Sequence, residues 1–187
     1  MKGLLLFVER LCKLAVWFCG GAVLFMAFYI CVDVLARKIF TVSIRGSDEL
    51  SGYVLAIMSG WGFAYAFLRK NHIRIDVLYL RLSLKLRSIL DIASLLVLAF
   101  FVFPLTFYSF EVFKTSWARN SLSNAPLQTP LWIPQSLWFL GLFFFSIIIS
   151  LYFLLTLYNF LRGKVLEAYK LAGSTSIEEE VRSSDGG

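Results

Sequence analysis

Four long apolar runs, Leu14–Ala36, Glu49–Leu68, Ser88–Phe113 and Leu137–Phe160, are separated by stretches that hold nearly all of the charge. A hydrocarbon layer about 30 Å thick takes about 20 residues of helix, and backbone groups crossing it must be paired within the chain. Each run therefore predicts one membrane-spanning α-helix. The expected fold is an all-α integral membrane protein, with a four-helix domain over residues 1–165 and a polar, flexible tail over 166–187.

Between the second and third runs the pattern changes. From Leu78 to Arg87 apolar and polar residues alternate as in a strand, but a lone strand at a bilayer surface has no partner for its backbone. A short amphipathic interfacial helix is expected instead, opened by Asp76 as N-cap, with Leu78, Leu82 and Leu86 as its apolar stripe.

Composition excludes a soluble core: 59% of the 187 residues are hydrophobic and 17% aromatic. The first run follows a basic start, as a signal peptide would. Glu9 within that start and the length of the run favour a retained helix. Cys12, Cys19 and Cys31 all fall in or just before this run, so an intrachain disulfide framework is not expected.

The net charge of +6 matters through its position, and no nucleic-acid role is expected. Thirteen of the 18 Lys and Arg residues lie before the first run, between the second and third, or after the fourth. The positive-inside rule then places both termini in the cytoplasm. The Arg69–Arg87 segment becomes cytoplasmic, where anionic lipid headgroups attract its cations.

Within the runs, Gly52, Ala56, Gly60 and Ala64 recur every four residues, a stripe that lets another helix approach closely. Cys12, Ala15, Cys19 and Ala22 form a comparable row, so the first two helices are expected to pack together; internal packing and a partner interface both remain open for the stripe. Pro104 is expected to kink the third helix. The segment 114–138 carries Pro126, Pro130 and Pro134 with Trp117, Trp132 and Trp138, an irregular loop anchored at the interface.

No catalytic constellation is present. One histidine, His72, cannot build a haem or metal centre, and no nucleophile has a base beside it at plausible depth. Asp33, Asp91 and Glu111 lie near the ends of runs, where Arg37 and Lys114 offer local partners for the first and last. No enzyme, cofactor, catalytic residue or metal site is expected, and no substrate site is expected in this chain.

The segment "RGSDELSGYVLAIMSGWGFAYAFLRKNHIRIDVL" resembles the signature region of the small, Q-type (DctQ-like) permease subunit of tripartite ATP-independent periplasmic (TRAP) transporters. Glu49 matches the family's acidic opening of the second helix, and His72, Ile73, Ile75 and Asp76 match its boundary motif. "TPLWIPQSLWFLG" is similar to its entry to the fourth helix.

The resemblance implies a multi-pass subunit of the bacterial inner membrane that serves sodium-coupled uptake of an organic anion, a carboxylate or sulfonate. It implies two partners, a large M-type permease subunit that carries the substrate and sodium sites and a periplasmic P-type binding protein. The small subunit would brace the scaffold. An unrelated four-helix assembly factor and a self-sufficient channel or carrier are the alternatives. Arg69, Lys70, His72, Arg74 and Asp76 are the expected cytoplasmic interface motif. Arg45, Asp48, Glu49, Lys114 and Arg119 are candidate contacts to the binding protein, with Asp48 and Glu49 also suited to the positive helix N-terminus and Ser47 to its cap.

Overall fold

A computed structural model of the 187-residue chain describes residues 2–42, 46–69, 82–166 and 169. It contains four helices: α1 (Lys2–Phe40), α2 (Ser47–Leu68), α3 (Leu84–Ala118) and α4 (Trp132–Leu161). All four are long and apolar enough to cross a membrane, as the hydropathy pattern predicts. The expected interfacial helix falls mainly on residues outside the described set. Leu84–Arg87, its last turn, belong instead to the first turn of α3.

All four helices extend past their apolar runs, α2 by only two residues. The 39 residues of α1 reach about 58 Å at about 1.5 Å per residue, well beyond the hydrocarbon thickness. Hydropathy marks where a helix meets lipid, whereas capping marks where it stops. α3 ends at Asn120, whose φ of 46° places it in the left-handed region. The Ser121 and Asn120 amides donate back to the Ser116 and Trp117 carbonyls at 3.0 and 3.3 Å, a Schellman closure. α4 ends the same way at Gly163, φ 75°, with Lys164 N–H on Asn159 and Gly163 N–H on Phe160. Pro104 lies inside α3 without ending it.

The chain divides into two compact units: Met1–Leu68 with Pro104–Phe145, and Arg69–Phe103 with Ser146–Gly187. α3 and α4 each contribute to both. In the first unit α1 packs on α2, and its buried positions recur every seven residues, at Cys12, Cys19, Met26 and Asp33. A close backbone approach in that unit joins α2 to α4. A Cβ built on Gly141 would meet the Gly60 carbonyl carbon at 2.9 Å and Trp61 N at 3.0 Å, and one on Gly60 would meet Trp138 O at 3.1 Å.

Aromatic rings close around this crossing. Trp61 packs on Phe144, and Phe63 and Phe67 pack on Phe145, with centroids 5.7–6.2 Å apart. On α3, Phe110 and Phe113 meet Phe139 of α4. In the second unit Leu95, Val102, Ile148 and Ile149 are buried, and Ser88 Oγ donates to Val165 O at 3.5 Å.

Gly60 and Ala64 are buried, Ala56 is half-buried and Gly52 is exposed. Gly60 of the stripe thus meets α4, while α1 packs on α2 as expected. Gly141→Ala is expected to destabilise the protein by about 1–3 kcal/mol through overpacking against backbone that cannot yield. Gly52→Ala, whose added methyl meets nothing within 4 Å, should leave stability unchanged or raise it by about 0.5–1 kcal/mol through helix propensity. Thermal unfolding of the two purified variants checks the contrast.

Candidate functional site

A buried polar cluster lies in the first unit where α2 begins. α1 brings Asp33 there and α2 brings Ser47, and both side chains are buried, with 0% and 2% of their surface exposed. Arg37, one turn beyond Asp33, donates from Nη2 to Asp33 Oδ2. Ser47 Oγ donates to the same oxygen at 2.9 Å and accepts from Arg37 Nη2 at 3.3 Å. A buried carboxylate is tolerated only when paired and hydrogen-bonded, and this triad supplies both.

Ser47 is therefore not the α2 cap that its position suggests. Gly46, φ 89°, takes the N-cap place, and its carbonyl accepts from Leu50 N at 2.9 Å. The Asp33–Arg37 pair was legible in its four-residue spacing. The Ser47 contribution crosses 14 positions and carries no local signal.

One turn into α2, Tyr53 Oη donates to Glu49 Oε1 at 2.6 Å. The Ser123 and Thr129 hydroxyls and the Leu127 amide lie around the same carboxylate, and Ser123 and Thr129 also neighbour the Tyr53 hydroxyl. None of them completes a bond to Glu49 Oε2, which is buried without a donor. These three residues belong to the α3–α4 loop, which folds back over the start of α2. The Leu127 side chain occupies the space a Cβ on Gly46 would need.

The loop has its own internal order. Ser123 N donates to Thr129 O at 2.9 Å and Leu131 N to Ser121 O at 3.0 Å, around a bridge between Leu122 and Pro130. Gln128 takes a φ of 48°, and Trp117 and Trp132 meet edge to face at 4.7 Å across the loop's base. The expected anchoring tryptophans thus pair with each other here.

Of the other candidate contacts, Asp48 and Arg119 are exposed, and Arg119 sits at the α3 stop. Lys114 pairs with Glu111 at 3.7 Å, with 65% and 44% of the two side chains exposed. Arg69 is exposed in the turn after α2. Arg45, Lys70, His72, Arg74 and Asp76 lie outside the described residues.

Among the described residues no group of three His, Cys, Asp or Glu side chains is placed to hold a metal ion. Cys12, Cys19 and Cys31 are free thiols. An apolar groove of about 470 Å³ lies between α1 and α2, lined by Ala15, Phe18, Cys19, Ile57 and Trp61 among others.

Four helices long and apolar enough to cross a membrane define a multi-pass membrane protein. Residues 26–162 match the family model of the tripartite ATP-independent periplasmic transporters, DctQ component. The chain belongs to that family, the small permease subunits of TRAP transporters, and is a transporter component, not an enzyme. No curated protein and no solved structure matches it.

Asp33→Ala is expected to lower the melting temperature of the purified protein far more than Glu111→Ala. The first change leaves Ser47 and Arg37 without their shared acceptor, whereas an exposed pair like the second contributes about 0–1 kcal/mol. Parallel thermal melts in one detergent check the order.

Proposed function

We propose that this chain braces the scaffold of a large M-type permease subunit in sodium-coupled, binding-protein-dependent uptake of an organic anion. The observation that carries this reading is the absence of charge from the centres of the spans. Residues 14–32 of α1, 50–68 of α2, 92–110 of α3 and all of α4 contain no Asp, Glu, Lys or Arg. Paths for ions and anions usually carry ionisable groups at membrane depth.

On this reading the substrate and sodium sites belong to the large subunit, and this chain holds no cofactor. The distribution of Lys and Arg supports cytoplasmic termini in the inner membrane, with the α2 entry and the α3–α4 loop on the periplasmic side. A self-sufficient channel or carrier is the competing reading.

The isolated chain in liposomes is expected to move no substrate. Uptake should appear only with the large subunit, the binding protein and an inward sodium gradient together. Sodium-driven uptake by the chain alone would establish the competing reading.

Arg119, exposed at the mouth of the α3–α4 loop, is suited to a rim contact with the binding protein. Arg119→Glu should reduce uptake at low binding-protein concentration and alter its salt dependence, with recovery at high concentration, because rim charges act mainly on association. A titration of binding protein against initial uptake rate at two ionic strengths reads this directly.

A further inference from the structure

The groove between α1 and α2 plays no part in bracing a scaffold. One wall is the α1 row from Leu11 to Ala22, the other is Val54, Ile57 and Trp61 of α2, and every side chain that lines it is apolar. Ala15 and Ala22 leave room that larger side chains would fill. The outer edge is open, with 72% of Leu14 and 80% of Phe18 exposed. In a helix pair that crosses a membrane, such an edge faces hydrocarbon.

We infer that this groove binds one acyl chain of an anionic phospholipid, with the headgroup phosphate held at the Arg10 end. Three observations carry the inference. The first is length: from Leu11 to Ala22 α1 rises about 16 Å, close to the depth of one leaflet, about half of a 30 Å hydrocarbon layer. The second is width. A volume of about 470 Å³ drawn out over that length makes a slot much narrower than a helix, which is about 10 Å across with its side chains. An extended hydrocarbon chain fits such a slot better than a helix of another subunit does.

The third is charge. Arg10 lies one turn before Leu14 on the same side of α1, with Lys13 close by, and both are exposed. Among the described residues no carboxylate pairs with either cation. Long basic side chains at the end of a span reach along it to headgroup depth, where an anionic phosphate complements them. The tail supplies the fit to the groove, and the cations supply the preference for an anionic lipid over a zwitterionic one.

Of the five tryptophans, Trp61 alone lines the groove, and bromine on an acyl chain quenches indole fluorescence on contact. Dibrominated phosphatidylglycerol is titrated at a few molar equivalents into the full-length chain in detergent, alone and in complex with the large subunit. Dibrominated phosphatidylcholine with the same tails is titrated in parallel.

A saturable component of quenching is expected in both preparations. It should be lost in Trp61→Phe and retained in Trp17→Phe, whose ring is 73% exposed outside the groove. Ala22→Leu and, on the opposite wall, Val54→Phe should each raise the half-saturating lipid concentration several-fold by filling the slot. Phosphatidylcholine should need several-fold more lipid than phosphatidylglycerol. Arg10→Gln/Lys13→Gln should remove that difference by weakening phosphatidylglycerol alone, and Arg162→Gln, an exposed cation of the other unit, should leave it in place. Native mass spectrometry of lipid adducts on the two groove-filling variants gives the same reading without Trp61.

Quenching that never saturates, or half-saturation unchanged in both Ala22→Leu and Val54→Phe, overturns the inference. So does equal affinity of the wild type for the two lipids. Loss of the saturable component in the complex with the large subunit overturns it as well, and assigns the groove to a protein contact.

Discussion

The distance between α2 and α4 at Gly60 and Gly141 governs what the surrounding side chains can do. Helices in lipid gain little from hiding leucine, because acyl chains are equally apolar, so close backbone approach decides which pairs hold together. With no Cβ at either glycine, the backbones meet within ordinary contact distance. Trp61 is then close enough for its indole Nε1–H to donate to Leu137 O at 3.2 Å, and its ring lies on Phe144. Trp61 thus owes its hydrogen bond to the glycine before it. A larger residue at either position would move the crossing and strand that donor.

The same scarcity of water explains the two carboxylates at the start of α2. Asp33 is fully buried and takes a guanidinium and a hydroxyl from within the helix pair. Glu49 takes one phenol from its own helix, and its second oxygen is buried without a donor. The first arrangement is closed and ties α1 to α2. The second stays open on one oxygen.

Hydropathy made the four helices legible, since about 20 uninterrupted apolar residues have few other solutions. Their ends were not, because a Schellman closure needs only one residue that tolerates positive φ, and neither Asn120 nor Gly163 stands out among other Asn and Gly residues. The four-residue stripe in α2 announced a close contact but not its partner: Gly141 is a lone glycine in a run of Leu and Phe, with no repeat to mark it. Asp33–Arg37 and Glu49–Tyr53 could be read from i,i+4 spacing. Ser47, Ser123 and Thr129 could not, because their partners are set by how the chain returns, not by local pattern.

α1 shows how little internal packing a bilayer helix requires. Its buried residues, Cys12, Cys19, Met26 and Asp33, form a single line with seven-residue spacing, while Trp17, Phe25 and Phe28 are largely exposed. In water such a helix would collapse onto any apolar surface available. In hydrocarbon those aromatics carry no burial penalty or gain until another protein surface fits them better than lipid does. The thin seam thus fixes where α1 stands, through Asp33 at one end and Cys12 at the other, and leaves most of its circumference to be shaped by whatever packs outside.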